Sequence, residues 1–560
     1  MQHYYQRKRV HQARTPMLRS LQKAFQIAML AARPSAPPVD EILEMVNEKK
    51  NKSRRNFLSA TAKISLAVGA GGLIASCKKA DLISSDGVAA ADFSRSNEMR
   101  IAIVGAGMAG LNCAHKLKQA GISSKVYEAS NRSGGRIFTA TGILGAGLTT
   151  ELGGEFIDSI HTDMLNLVAE FGLPIYDTQA ASETSLIGQG YFINGQHHTE
   201  AQVISALVPY AAQISSDINN LPVGPFTSGN SGFYDNMSME NYFNYIGLTG
   251  WLRSLLEVAY LTEYGLEINQ QSSINFLYLF NPDTSSGFEI FGASDERYKI
   301  AGGNQTLTNA LFNHVQNDVI FDRKLTQVAK IGNSYRLTFL KSNGSSTTVD
   351  CDVVVLTVPF SILRNVNFTF AMPPWKTYAI QNLGYGTNAK LMMGFSTRHW
   401  RTLGYAGYLF TNQNMQNGWD NSQLQPGNAG GYTVFLGGNA GVALGNGSAS
   451  SQASAQLTTL NQAWPGMAAQ YTGAAQRMHW PTNPFAMGSY ACYKPGQFIS
   501  ISGNEFKKVG RIFFAGEHCS LDFQGYMNGA AETGRRVASK IINGEIDMSI
   551  YSDEAAMVAQ

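Results

Sequence analysis

The chain of 560 residues has little charge, few cysteines and no long apolar run. Charged residues make up 15% of it and hydrophobic residues 44%, a balance typical of a globular protein rather than a disordered or coiled-coil one. The five cysteines are scattered, with no spacing that suits a metal, so we predict neither a disulfide framework nor a metal site. Residues 64–75 are apolar, but they are too few to span a bilayer as a helix.

Positive charge is concentrated at the amino terminus. Residues 1–55 carry 12 Lys/Arg and 4 Asp/Glu, whereas the whole chain has a net charge of only +3, so the remainder is net negative. The main body therefore lacks the basic surface that nucleic-acid binding requires, and we predict no nucleic-acid partner. The pattern of residues 21–32 indicates a short amphipathic helix. The length is sufficient for two domains with cores of their own.

The first hundred residues resemble an export signal. Residues 53–58, Ser-Arg-Arg-Asn-Phe-Leu, resemble a twin-arginine signature, and residues 74–77, Ile-Ala-Ser-Cys, resemble a bacterial lipobox that would lipidate Cys77. The alternative is a plain signal peptide with an incidental cysteine, and translation could begin at Met45. We predict that residues 1–98 are an export signal and tether. The protein would then be periplasmic or a membrane-anchored lipoprotein of a bacterium.

A dinucleotide-binding unit begins at residue 100. Residues 100–104 are typical of a buried parallel strand, residues 111–119 of a helix and residues 124–128 of a second strand. The turn between the first strand and the helix reads Gly105-Ala106-Gly107-Met108-Ala109-Gly110. Its glycines allow a tight turn, close approach of the backbone to a pyrophosphate, and close helix–strand packing. Glu128, 18 residues after Gly110, is placed to accept hydrogen bonds from a ribose.

Two blocks of motifs lie about 400 residues apart. The first contains Glu128-Ala129, Gly134-Gly135-Arg136 and Glu151-Leu152-Gly153-Gly154-Glu155. The second contains Ala515-Gly516-Glu517 and Gly525-Tyr526-Met527, followed by a helix to about residue 542. Together the two blocks resemble the flavin amine oxidase family, which includes monoamine, polyamine and L-amino-acid oxidases. The resemblance covers residues 99–542 and implies FAD as cofactor. The residues that it assigns to FAD binding are Gly105, Ala106, Gly107, Met108, Ala109, Gly110, Glu128, Ala129, Gly135, Arg136, Gly153, Gly154, Val328, Trp480, Gly516, Glu517, Tyr526 and Met527.

The same resemblance implies three catalytic residues. Lys390 matches the family lysine that holds a water near flavin N5, and Trp480 the tryptophan that packs beside it. Tyr490 and Tyr526 match two walls of an aromatic cage, whose rings can align an amine nitrogen. Some members attach FAD through a cysteine at the position of Ser489, so we predict noncovalent FAD here.

The resemblance implies a small amine or an amino acid as the substrate, with molecular oxygen as the second substrate. Many L-amino-acid oxidases carry a carboxylate-binding arginine where this chain has residues 155–158, Glu-Phe-Ile-Asp, which favours a simple amine. Arg297 or Arg398 could replace that arginine. Glu155 and Asp158 could instead bind a second amino group.

Together these features predict an α/β protein. A Rossmann-like FAD-binding domain would be built from residues 99–160, 296–375 and 484–546, and a mixed α+β substrate domain from 161–295 and 376–483, with a tail at 547–560. The predicted activity is oxidative deamination of a primary amine. The alternatives are an L-amino-acid oxidase, an FAD-dependent dehydrogenase or desaturase, and a non-catalytic surface flavoprotein. A homodimer and a lipid anchor at Cys77 are further expectations.

Overall fold

The computed structural model describes residues 24, 27–33, 36–43, 99–221, 231–278 and 295–546. The twin-arginine motif, the lipobox and the predicted tail lie outside these residues. Within them, no helix has the length and apolarity needed to cross a membrane. Residues 27–31 are helical, and the buried side chains of Ile27 and Ala28 join the same core as Leu207 and Ala211 of the helix Glu200–Asn219.

The cofactor sheet contains five parallel strands. Their order is Ile512–Phe514, Val353–Leu356, Ile101–Val104, Ser124–Tyr127 and Val319–Ile320. Helices cover one face of this sheet through a core of aliphatic side chains. The helices that cover this face are Met108–Gln119, Gln305–Val315 and Met527–Ile542. Two of them cross closely because Gly534 has no side chain: a Cβ there would lie 2.2 Å from the carbonyl oxygen of Ala109.

A four-stranded sheet lies beside the cofactor sheet, and two short strand pairs complete this half of the molecule. The four strands are Ser346–Cys351, Ser334–Leu340, Lys324–Ile331 and Asn367–Phe368. The short pairs are Thr139–Thr141 with Thr149–Glu151 and Ile175–Asp177 with Tyr298–Ile300.

The substrate sheet contains seven strands. Their order is Tyr471–His479, Ala389–Phe395, Gly430–Leu436, Asn417–Asp420, Leu409–Thr411, Gly190–Ile193 and Gln196–His198. All of them come from the segments that the sequence assigned to the substrate domain, whereas the cofactor sheet draws only on the other segments. The domain boundaries themselves stay predictions.

The remaining helices lie mainly in the substrate half. They are Thr162–Glu170, Glu200–Asn219, Ser231–Asp235, Met239–Tyr245, Gly250–Tyr264, Ser273–Leu277, Phe360–Leu363, Pro374–Asn382, His399–Thr402, Gly438–Ala443, Ala449–Ala463, Met467–Gln470 and Gln497–Ser500. Short 3₁₀ turns occur at Gln316–Asp318, Trp480–Thr482 and Glu517–Cys519.

Residues 319–331 form two separate strands, Val319–Ile320 and Lys324–Ile331. The backbone turns at Asp322, whose φ is +57°, and the two halves join different sheets. The turn is fixed because the N–H of Arg323 donates to the carbonyl of Glu128 at 2.8 Å. Among residues 411–454, which are rich in glycine and polar residues, Gly430–Leu436 is a fully buried strand in the interior of the substrate sheet.

Candidate active site

One elongated cavity of about 400 Å³ runs from the glycine-rich turn to the substrate sheet. At one end it is lined by Gly105, Gly107 and Glu128, and at the other by Lys390 and Tyr490. The carboxyl ends of the parallel strands therefore open into the same space as the substrate half. This is where doubly wound sheets bind nucleotides.

The glycine-rich turn has the geometry that a pyrophosphate requires. Gly105 has a φ of +107°, a conformation that glycine adopts without steric cost. A Cβ on Gly110 would lie 1.9 Å from the carbonyl oxygen of Gly105, so only glycine lets the helix approach the strand. The helix Met108–Gln119 begins at Gly107 without a side-chain cap, which leaves its first N–H groups available to an anion.

Glu128 is buried at the end of the second strand, as the sequence predicts. Its carboxylate accepts hydrogen bonds from the N–H of Ala106 at 2.7 Å and from the hydroxyl of Ser130 at 2.7 Å. It therefore ties the glycine-rich turn to the second strand and lines the cavity.

Residues 151–155 form the wall between the two ends of the cavity. Lys390 donates to the carbonyls of Glu151 at 3.2 Å and Gly153 at 2.8 Å, and the indole N–H of Trp480 donates to the carbonyl between them, that of Leu152, at 3.1 Å. Lys390 and Trp480, which the resemblance places side by side, thus hold the three successive carbonyls of residues 151–153.

Glu155 lies between two buried lysines. One carboxylate oxygen accepts from Lys390 and the other from Lys299, each at 2.9 Å. Burial acts to raise the pKa of Glu155, but the two ammonium groups outweigh it and hold this pKa below its ordinary value. Lys390 Nζ donates to three protein oxygens. The water that the resemblance places beside Lys390 remains a prediction. Because Glu155 binds two cations of the protein itself, it is a poor receptor for a substrate amine.

The two predicted cage tyrosines line the same cavity. The hydroxyl of Tyr490 donates to the carbonyl of Glu263 at 2.8 Å, which fixes its ring. The ring of Tyr526 meets the imidazole of His161 edge-on at 4.9 Å. Tyr526 also precedes the helix Met527–Ile542 as its N-cap, so the positive end of that helix dipole faces the cavity.

An aromatic wall at the substrate end was missed from the sequence. Trp419 packs against Phe156 at 5.7 Å and against Phe435 at 5.6 Å between ring centroids, and Lys390 Nζ lies 5.2 Å from the Trp419 ring. The indole N–H of Trp419 is buried without a hydrogen-bond partner among the described residues. No local motif marks Trp419, because it reaches the site only through the pairing of Asn417–Asp420 with Gly430–Leu436.

Neither of the proposed replacement arginines reaches the cavity. Arg297 binds Asp177 through two hydrogen bonds, at 3.0 and 2.8 Å, and Arg398 binds Ser422 and the backbone of residue 425. Neither lines the cavity. Arg136 does line the cavity, and its guanidinium is paired with Glu517 at 2.9 Å.

Most of the predicted site residues line this cavity, and three do not. Ala106, Gly110 and Val328 lie behind its surface. Gly110 acts through packing, as the sequence suggests. Val328 is fully buried in its strand, and the neighbouring residues 323–325 line the cavity in its place.

The residues present fit FAD. Two glycines of the cavity wall have no room for a side chain. A Cβ on Gly153 would lie 1.9 Å from the carbonyl oxygen of Arg136, and one on Gly154 would lie 2.8 Å from Met527 Cγ. Gly107 and Gly135 also face each other closely, since a Cβ on Gly135 would lie 3.2 Å from the Cα of Gly107. The cradle is long and lined by backbone, as a dinucleotide requires.

The fold and cavity thus define a dinucleotide-binding oxidoreductase with a separate substrate sheet. The family model described as flavin-containing amine oxidoreductase matches residues 108–542. The chain therefore belongs to this family, and it is an FAD-binding oxidoreductase that acts on amines.

Related proteins of several activities resemble the chain at low identity. An L-amino-acid oxidase of Demansia vestigiata is 23% identical over 473 residues, covering 80% of this chain and 87% of that protein. Amine oxidase [flavin-containing] A of Sus scrofa is 23% identical, covering 79% and 85%. The structure of cyclohexylamine oxidase from Brevibacterium oxydans has a TM-score of 0.69 at 20% identity, covering 80% of this chain and 99% of that one, and this supports the fold.

Proposed function

We propose that the protein is an oxidase that converts a primary amine to an imine, which hydrolyses to an aldehyde and ammonia. The observation that carries this proposal is the convergence of Lys390, Tyr490 and Tyr526 on the cavity that also holds the dinucleotide cradle. FAD held by the glycine-rich turn, Glu128 and Gly153–Gly154 would supply the electron acceptor for this oxidation, with oxygen as the final acceptor and hydrogen peroxide as its product.

The side chains of the protein orient the amine and shield it. The rings of Tyr490 and Tyr526 offer faces along which a neutral amine nitrogen can align. The apolar wall of Phe156, Trp419 and Phe435 excludes water from the substrate end. A positive helix end at Met527 and the ammonium of Lys390 favour negative charge that develops beside them.

The positions of Arg297 and Arg398 support a substrate amine that carries no carboxylate. An amino-acid substrate needs a cation to bind its carboxylate, and Arg297 and Arg398 both bind other groups outside the cavity. Two of the ranges outside the described residues, 222–230 and 279–294, contain no arginine or lysine.

The test uses the full-length holoenzyme in two assays. Bleaching of the flavin absorbance under argon, followed by peroxide formation in air, is expected with amines and not with the corresponding L-amino acids. Bleaching without peroxide would indicate a dehydrogenase. Turnover only of amino acids would contradict the absence of a carboxylate anchor, and no bleaching by any amine would refute the activity.

We also propose export by the twin-arginine route, supported by Arg54 and Arg55 ahead of an apolar stretch. An Arg54→Lys/Arg55→Lys double variant should remain in the cytoplasm. A Cys77→Ala variant should lose attachment to membranes. Membrane attachment that persists without Cys77 would contradict the lipid anchor.

A further inference from the structure

We propose that Asn388 is a positioning residue for the amine oxidation, and that it holds the ring of Tyr490 in place at the substrate end of the cavity. This inference rests on the proposed amine oxidase function and concerns the same site. Asn388 is fully buried and lines the cavity. It directly precedes the strand Ala389–Phe395, which carries Lys390.

The side-chain amide of Asn388 is hydrogen bonded through both of its polar atoms. Its Nδ2 donates to the carbonyl oxygen of Thr262 at 2.8 Å, and its Oδ1 accepts from the hydroxyl of Ser489 at 2.6 Å. A carbonyl can only accept, so Thr262 requires the NH₂ group of the amide, and the amide oxygen must then face Ser489. The two partners therefore determine the orientation of the amide.

Two glycines bring the backbone against this amide. A Cβ on Gly265 would lie 2.0 Å from Asn388 Oδ1, and a Cβ on Gly386 would lie 2.8 Å from the same atom. Gly265 also has a φ of +73°, which glycine adopts without steric cost, and it ends the helix Gly250–Tyr264. The end of this helix and the segment before Asn388 thus enclose the amide closely.

The ring of Tyr490 depends on the same two segments. Its hydroxyl donates to the carbonyls of Glu263 at 2.8 Å and Thr262 at 3.3 Å, in the last turn of the helix, where carbonyls lack an N–H partner within a helix. Its backbone carbonyl accepts from the N–H of Gly386 at 2.9 Å. Asn388 joins these two supports, because one of its hydrogen bonds goes to the helix end and the other to the residue before Tyr490.

The strand that carries Lys390 thereby positions Tyr490 as well. Asn388 and Lys390 are two residues apart, and alternate residues along a strand point to the same face. Both side chains line the cavity. Lys390 binds the wall formed by residues 151–155, whereas Asn388 binds the segment that carries the predicted cage ring. The separation of this ring from that wall therefore depends on Asn388.

The experiment measures the reduction of the flavin by an amine under argon in the Asn388→Leu holoenzyme. Leucine has the branched shape of asparagine but makes neither hydrogen bond, so Tyr490 loses the link between its two supports. We expect the limiting rate of reduction at saturating amine to fall about tenfold, as for the loss of a buried hydrogen bond. Reoxidation by oxygen should keep the wild-type rate, because the contacts of Lys390 are unchanged, and a general loss of structure would slow both steps.

A second measurement places the same change in a protein without the ring. In Tyr490→Leu only the other wall of the cage remains, and slow reduction of this variant can be followed for hours under argon. A double-mutant cycle shows whether two residues act together. If Asn388 acts through the Tyr490 ring, Asn388→Leu should slow reduction by less than about twofold in the Tyr490→Leu background.

Asn275→Leu is the matched control. Asn275 is also buried and donates through Nδ2 to a carbonyl, that of Tyr493, at 2.8 Å, but it does not line the cavity. The control should be reduced at the wild-type rate. Ser489→Ala is a milder variant that removes only the hydroxyl bound to Asn388, and it should also slow reduction. If Asn388→Leu does not fold, Ser489→Ala replaces it in both backgrounds.

Three results would overturn the proposal. They are equal slowing with and without the Tyr490 ring, equal slowing in Asn275→Leu, and an unchanged rate in the Asn388 and Ser489 variants. In each case, reduction of the wild-type flavin by amines would leave the amine oxidase function standing. No reduction of the wild-type flavin by any amine would refute that function itself.

Discussion

Replacement of Lys390 by methionine separates its role at the cavity from its role in the fold. Lys390 and Lys299 bind opposite oxygens of Glu155 and are both buried, but only Lys390 lines the cavity. Lys390→Met and Lys299→Met each remove one partner of this carboxylate. Breaking a buried ion pair costs about 3–5 kcal/mol, so both variants should unfold at similarly reduced temperatures.

The rates of flavin reoxidation should differ between the two variants. Of the two lysines, only Lys390 lines the cavity in which FAD would be held, and the loss of one preorganised charge beside a reacting group slows a reaction by about a hundredfold or more. In stopped-flow measurements, each enzyme is reduced by an amine under argon and then mixed with oxygen. We expect slow reoxidation in Lys390→Met and a near wild-type rate in Lys299→Met. Equal slowing in both would refute the argument, because the effect would then act through Glu155.

Three further predictions concern acid stability, the cofactor cradle and the flavin linkage. Burial lowers the pKa of His518 from 6.5 to about 4. As the pH falls, the unfolded state therefore binds this proton before the folded state does, and the free energy of unfolding decreases by about 3 kcal/mol between these two pH values. His518→Phe should reduce this dependence in thermal unfolding, because neither ring nitrogen has a partner among the described residues; an unchanged pH profile would contradict it. Gly110→Ala should abolish flavin retention on gel filtration, whereas Gly188→Ala, whose Cβ would have no atom within 4 Å, should retain the flavin; equal retention would refute the packing argument. Acid precipitation should release all the flavin, because the residues that line the cavity, Ser489 among them, include no cysteine to which FAD could be attached covalently. Flavin that stays on the precipitated protein would contradict this prediction.

The dinucleotide cradle could be predicted from the sequence because it is local. Gly105 and Gly110 serve one turn, because Gly105 adopts a φ of +107° and a Cβ on Gly110 would meet the carbonyl oxygen of Gly105, five residues earlier. The helix Met527–Ile542 ends at the residue that the resemblance implied, because the motif that precedes this helix is read from adjacent residues.

The substrate end depended on contacts between distant segments. Trp419 reaches the cavity through strand pairing across the substrate sheet, and Lys299 meets Glu155 across 144 residues of sequence. The sequence identified Glu155 as an acid near the site, but only the tertiary structure showed that two lysines occupy it.

The sequence by itself determined the cofactor class, the order of the βαβ unit and the family motifs. The βαβ unit follows from backbone sterics at its glycines and from the period of its apolar side chains, whereas FAD as cofactor followed from the resemblance of the two motif blocks to the flavin amine oxidase family. The tertiary structure decided which charged groups neutralise one another and which face the cavity. Coulombic partners such as Arg297 and Asp177 are chosen by proximity in the folded chain, and no local pattern encodes that proximity.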